Sequence, residues 1–369
     1  MAGIYLHIPF CKSKCAYCNF FSVVSEKQRA DFLDALKREA IARKDYLGGE
    51  EVRTIYFGGG TPTVLEALEV LKVLEVLRKN YNINAAAEVT LEANPDTISK
   101  EKLLEYKSLG INRLSIGIQS FFDDDLQYLS RKHDSKHALK VLDWAKEVGF
   151  QEVTIDLIYG IPTLTDEKWR KNLEIFFSTG FNHLSAYALT IEEKTALGQQ
   201  IKKGLAAPVN EEETIRHYEI LVEVTENQGF EHYEISNFAR PGHYSKHNII
   251  YWKGEKYLGL GPSAHSFDGV SRQWNVASVK DYCDNYSFER EELTLDDRYN
   301  EYVMTSLRTN WGCDFNYIRD NFGEEYVKRF NILTKKHILS GKMYQKDESF
   351  ILNDKGMLFA DGIASELFV

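Results

Sequence analysis

Ile4, Leu6 and Ile8 alternate with Tyr5 and His7, the period-two pattern of a half-buried strand, and Pro9 closes it because its ring removes a backbone donor. Ser25 with Gln28 reads as a capping box for a helix whose one face carries Phe32, Leu33, Leu36 and Ala40, with Gly48-Gly49 ending the segment. The alternation then repeats. Strand Thr54–Phe57 leads to a helix through Leu68, Leu71, Leu74 and Leu77, and strand Glu88–Leu91 leads to a helix capped by Ser99 and stopped at Gly110. Strand Arg113–Ile118, helices across Asp123–Leu129 and Ser135–Val148, strand Val153–Ile158, helix Asp166–Ser178 and strand His183–Leu189 complete the series. Strands separated by helices pair in parallel through right-handed crossovers. The expected fold class is therefore α/β, a partial (β/α)6 TIM-like barrel with its site at the carboxyl ends of the strands. A doubly wound open sheet is the alternative.

From about Asn210 the pattern changes. A helix over Glu211–Gln228 ends at Gly229, and a polar-aromatic stretch follows from Phe230 to Trp274, with glycine turns at Gly259 and Gly261. Residues 289–301 hold six acids against two bases, a solvated connector by composition. Beyond it, short helices precede a hairpin over Met343–Leu352 and a last helix from Asp354, the order of a winged-helix-like α+β domain. The expected division is 1–230 for the barrel, 231–290 for the connecting region and 291–369 for the C-terminal domain. From Leu295 to Val369 the chain has ten basic and twelve acidic residues, which argues against DNA binding by that domain.

Composition narrows the picture without naming a partner. The 369 residues are 43% hydrophobic and 27% charged, a globular balance, and no apolar run nears the roughly 18 residues of a membrane span. The net charge of −10, from 45 basic and 55 acidic residues, opposes nonspecific attraction to nucleic acid or anionic lipid. Five cysteines and a start without a basic or apolar leader fit a reduced, cytoplasmic chain. Any peripheral contact with the inner membrane is expected to run through a protein partner.

Three of those cysteines fall in Cys11-Lys12-Ser13-Lys14-Cys15-Ala16-Tyr17-Cys18, a CxxxCxxC directly after the first strand. Structural zinc needs four nitrogen or sulfur ligands, and a fourth would have to come from His7 or from a distance. Three thiolates on one short loop better suit a [4Fe-4S] cluster with one iron left open to a small molecule. Gly58-Gly59-Gly60-Thr61-Pro62 follows the second strand, where glycines let the backbone approach a ligand and present N–H groups. It lacks both the Walker lysine and the dinucleotide spacing. Cys283 and Cys313 stand alone and read as structural, and His7 reads as a support for the loop.

Tyr5-Leu6-His7-Ile8-Pro9-Phe10-Cys11 running into CxxxCxxC, followed by GGGTP, resembles the radical S-adenosylmethionine (SAM) superfamily, and within it the oxygen-independent coproporphyrinogen III oxidase group, along almost the whole chain. The resemblance implies a radical SAM barrel in which Cys11, Cys15 and Cys18 hold the cluster. SAM would chelate the open iron, and reduction would cleave it to a 5′-deoxyadenosyl radical. Carried over residue by residue, it implies Tyr5 and Tyr17 beside the cluster and adenine, and Gly59, Gly60 and Thr61 at the amino-acid part of SAM. Glu92, Gln119, Arg131 and Asp156 complete the set, with Ala188 as a looser match. Glu92, Gln119 and Asp156 lie on or just past the C-terminal halves of predicted strands, where barrel ligands bind, and Arg131 offers a planar fork to a carboxylate. Taken singly, each reads first as a salt bridge or a structural hydrogen bond, and only their order and spacing make them a set.

The sequence departs from the oxidase at one informative place. The oxidase has a further cysteine two residues after the cluster motif, where this chain has Phe20, and a longer segment before the motif than the ten residues here. Both differences resemble the heme-chaperone branch, the HemW proteins, as do His247-Asn248-Ile249-Ile250-Tyr251-Trp252 (HNxxYW) and Gly261-Pro262-Ser263-Ala264-His265. That branch implies heme as a third bound group, respiratory-chain heme proteins as acceptors and bacterioferritin as a donor. His247, Tyr251 and His265 are the candidate heme contacts, since neutral imidazole ligates heme iron and aromatic rings pack on the macrocycle, with a hydrogen-bonded core residue as the other reading of His247. An oxidase-type enzyme of porphyrin biosynthesis is the alternative.

Overall fold

The first strand of the computed structural model, which describes residues 2–369, runs Ala2–Ile8 (β1) and is buried along nearly all its length. It pairs in parallel with Val52–Gly59 (β2), and the series continues through Ile83–Ala93 (β3), Arg113–Gln119 (β4), Glu152–Tyr159 (β5) and His183–Ala188 (β6), each parallel to the last. Such strands are covered on both faces, which is why they read as apolar runs rather than strict alternations. Helices Arg29–Ala42, Ala67–Asn80, Lys100–Ser108, Ser135–Val148 and Asp166–Thr179 form the crossovers. Ser99 caps its helix as expected, its hydroxyl accepting from Lys102 N at 3.2 Å. The capping box at Ser25 does not form. The first helix begins after Gln28 with no side-chain cap, and Arg29 instead pairs with Glu26 and with Glu69 of the next helix. An ion pair between helices has taken the place of a local cap.

The polar-aromatic stretch contributes strands to both sides of this parallel core. Glu231–Glu234 (β7) and Asn237–Ala239 (β8) join antiparallel beyond β6, while Lys256–Leu260 (β9) pairs in parallel with β1. His265–Phe267 (β10), Ser271–Asn275 (β11) and Phe288–Glu292 (β12) then extend the edge antiparallel, giving one twelve-stranded sheet. The acidic connector is thus an exposed edge strand followed by the helix Leu295–Ser306. Helices Phe315–Phe322 and Glu324–Leu339 come next, then the expected hairpin as Met343–Lys346 (β14) and Ser349–Leu352 (β15), joined by Cys313–Asp314 (β13). This is the winged-helix-like order. Two short helices, Asp354–Met357 and Ala360–Glu366, stand where one was expected. Among the described residues no helix is long and apolar enough to cross a membrane.

Candidate functional site

Pro9 ends β1, and the chain leaves the sheet as a loop whose neck is closed by two backbone bonds, Val23 N to Pro9 O at 2.7 Å and Cys11 N to Val23 O at 3.0 Å. All three clustered cysteines ride on that loop. Its far side is held by Leu197 N donating to Ala16 O at 2.8 Å, and its exit by His7, whose Nε2 meets Phe21 O at 2.9 Å. His7 therefore supports the loop. Cys11 is buried, and its Sγ accepts from Thr61 Oγ1 at 3.5 Å; Cys15 Sγ accepts from Arg131 Nη1 at 3.3 Å. Burial pushes the Cys11 and Cys18 thiols up. A coordinating cation is what would deprotonate them.

The glycine loop after β2 lies against this loop. Gly60 N donates to Ile8 O and Thr61 N to Phe10 O, both at 2.8 Å. A side chain at Gly60 would sit 2.7 Å from Phe10 O and 3.0 Å from Cys11 Sγ, and Gly59 holds φ +106 with the His7 ring where a Cβ would go. Only glycine fits either position.

A cavity of about 430 Å³ opens at the carboxyl ends of β1 to β6, within the usual ligand-pocket range. Cys11, Cys15, Cys18, Tyr17, Gly59, Gly60, Thr61, Glu92, Gln119, Arg131, Asp156 and Ala188 all line it. Each of the six parallel strands delivers at least one of them. Tyr5 is the exception among the expected residues. It does not line the cavity; its hydroxyl bonds His7 Nδ1 at 3.2 Å and its ring lies 6.0 Å from that of Tyr56.

Two carboxyls share the cavity floor. Glu92 accepts from Tyr56 Oη at 2.9 Å and from Gly59 N at 3.1 Å, and burial with Asp156 nearby raises it to about 7. Asp156 accepts from Ser115 Oγ at 3.1 Å and burial raises it to about 6. Gln119 takes φ +71 at the end of β4, an uncommon backbone state for a residue other than glycine. Arg131 is fixed by Asn94 Oδ1 at 2.8 Å and by Gly117 O, while its Nε is buried without a partner. Asn94 and Ser115 were missed by sequence reasoning. Asn94 was visible in principle, two residues after Glu92 and thus on the same strand face, whereas Ser115 is set beside Glu92 only by the β3–β4 register.

The cavity's chemistry fits both groups. Cys11, Cys15 and Cys18 all line the cavity, so three thiols are available to a cluster. The paired carboxyls offer anionic charge to a cationic ligand, and Arg131 offers a cation to a carboxylate.

The expected heme residues do not come together there. His247, on the helix Lys246–Trp252, lies at the opposite end of the barrel, 1% exposed, with Nδ1 on Thr54 Oγ1 at 2.7 Å and Nε2 on Tyr251 Oη at 2.9 Å. Burial lowers it to about 3. Both nitrogens are occupied within the protein, the geometry of a packed, hydrogen-bonded core histidine. Tyr251 is tied to it through its hydroxyl. His265 is exposed on β10, its ring stacked 6.2 Å from that of Trp274, with no side-chain hydrogen bond among the described residues. Cys313 is fully buried, and Cys283, on the helix Val279–Asp284, does not line the cavity.

Comparison with known proteins agrees with this geometry. The family described as the radical SAM superfamily matches residues 5–176. The heme chaperone HemW of Bacillus subtilis is 32% identical over 98% of both chains, and that of Lactococcus lactis 30% identical over 97% of this chain and 95% of its own. The solved structure of the Escherichia coli coproporphyrinogen III oxidase HemN, described as a radical SAM enzyme, superposes with a TM-score of 0.87 at 25% identity, covering 100% of this chain and 90% of that one. With matching motifs, a shared barrel and end-to-end similarity to these relatives, the chain belongs to the radical SAM superfamily, in the family of the heme chaperone HemW.

Proposed function

We propose that this protein is a heme chaperone that holds a [4Fe-4S] cluster on Cys11, Cys15 and Cys18, binds SAM in the adjoining cavity, and passes heme to respiratory-chain heme proteins, with bacterioferritin as a donor. The observation that carries the reading is the cavity itself, in which three thiols, a glycine backbone, two carboxyls and one arginine face a common space. When bound, the cluster and SAM supply one-electron chemistry. The chain's own residues bind and orient. Gly59, Gly60 and Thr61 let a ligand approach the backbone beside Cys11, Arg131 pairs with its carboxylate, and Glu92 and Asp156 match its positive charge. Because burial holds both acids above their ordinary values, a bound cation draws a proton from them, and SAM affinity rises with pH between about 5 and 8. His265 with Trp274 supports a heme contact, since its ring is exposed and unpaired where that of His247 is not.

Phe20 favours the chaperone over an oxidase. It stands 70% exposed at the cavity mouth, where the oxidase pattern has a further cysteine. The likeness to HemN keeps the oxidase as the second reading. Anaerobic reconstitution followed by parallel assays separates them: the chaperone reading expects about four irons per chain, a heme Soret band, and no decarboxylation of coproporphyrinogen III with SAM and reductant. Turnover above background refutes it.

A further inference from the structure

A second cleft, far from the cysteine loop, opens where β9 to β11 meet the C-terminal domain. Its volume is about 270 Å³, at the small end of ligand pockets. Both bodies give it aromatic walls. Tyr251 and Tyr257 meet edge to face with centroids 4.7 Å apart on the sheet side, and Tyr302 and Tyr317 stack at 4.3 Å on the C-terminal side.

The charges around those rings do not balance. Four charged side chains line the cleft: Lys253, Arg272, Arg298 and Glu301. Arg272 and Glu301 neutralise each other, both carboxylate oxygens accepting from the guanidinium, which also donates to Tyr257 Oη at 2.9 Å. Lys253 lies 5.8 Å over the Trp311 ring and has no carboxylate partner among the described residues. Arg298 makes no side-chain hydrogen bond or ion pair among the described residues, and its Nε is buried without a partner. Arg298 is half-buried, and a guanidinium whose Nε is shut off from solvent with no protein acceptor is a donor that an anion in the cleft would satisfy. A neutral ligand leaves Arg298 unpaired, and an aliphatic anion leaves the ring faces unused.

We propose that this cleft binds a small planar aromatic anion, one or two fused rings bearing a carboxylate, with the carboxylate on Arg298 and the rings against the tyrosines. The site is separate from the SAM cavity, and the proposal does not depend on the heme-chaperone reading. The test is isothermal titration of the full-length protein with 1-naphthoate. Saturable binding to one site is expected, with 1-naphthylmethanol at least about tenfold weaker because it lacks the charge. Arg298→Gln should weaken naphthoate about tenfold or more, and Thr305→Trp, which fills the cleft from the helix Leu295–Ser306, should abolish binding at an unchanged unfolding temperature. If Arg298→Gln lowers that temperature, Lys253→Gln on the exposed rim decides, with a loss of about threefold or more expected. Absence of saturation, equal binding of the alcohol, or wild-type affinity in the deciding variant overturns the proposal.

Discussion

Replacing Glu92 by Gln separates the stability of the empty protein from the SAM binding proposed for its cavity. Burial raises the Glu92 carboxyl from 4.5 to about 7. An acid held above its unfolded value keeps its proton longer in the fold, so the folded state loses stability as pH rises from about 4.5 to about 7 and is level above. At 1.36 kcal/mol for each tenfold in proton affinity, that gap is roughly 3 kcal/mol, reduced to about 2 because one side of the carboxyl faces the open cavity. Gln has nearly the same shape and no charge. Its oxygen can accept from Gly59 N while its amide donates to the Tyr56 hydroxyl, which rotates to receive it, so both contacts survive. Glu92→Gln should therefore raise the stability of the empty protein by about 1–2 kcal/mol at pH 8 and leave it nearly unchanged at pH 4, read as urea midpoints at the two values. The same change should weaken SAM about tenfold or more at pH 8 by equilibrium dialysis. A stability difference between variant and wild type that is the same at both pH values refutes the argument.

Cys11→Ala, Cys15→Ala and Cys18→Ala should each abolish retention of iron and acid-labile sulfide after reconstitution, while Cys313→Ala, buried elsewhere, should leave both unchanged. Gly60→Ala should lower the unfolding free energy of the empty protein by about 1–3 kcal/mol, because its Cβ meets backbone carbonyls and breaks the paired bonds to Ile8 and Phe10; calorimetry checks it. His247→Ala should cost about 2–4 kcal/mol by leaving a cavity and two unpaired hydroxyls, with heme affinity unaltered by Soret titration. His265→Ala should instead shift the heme spectrum at an unchanged unfolding temperature.

The barrel was legible because its strands are short apolar runs and its helices carry one apolar face, both local patterns with known periods. The cysteine loop was legible for a related reason, since its three thiols are neighbours in sequence as well as in space. The strand Lys256–Leu260 was not. It is five residues long and pairs with β1 across some 250 residues of chain, and nothing local distinguishes it from a loop. His247 shows the same limit in a side chain. Its aromatic surroundings were visible, but Thr54, which occupies its Nδ1, lies 193 residues away.

The sequence by itself determined the βα alternation, the thiol spacing and the glycines that the close approach of two loops demands. Tertiary structure decided the rest. It placed Tyr5 outside the cavity wall, turned a motif histidine into a core residue and left His265 with its ring free. It also brought Tyr251 and Arg298, from different bodies, to one cleft. A period records which face of an element is buried, whereas the partner of a polar atom depends on how distant segments pack, and no local pattern encodes that.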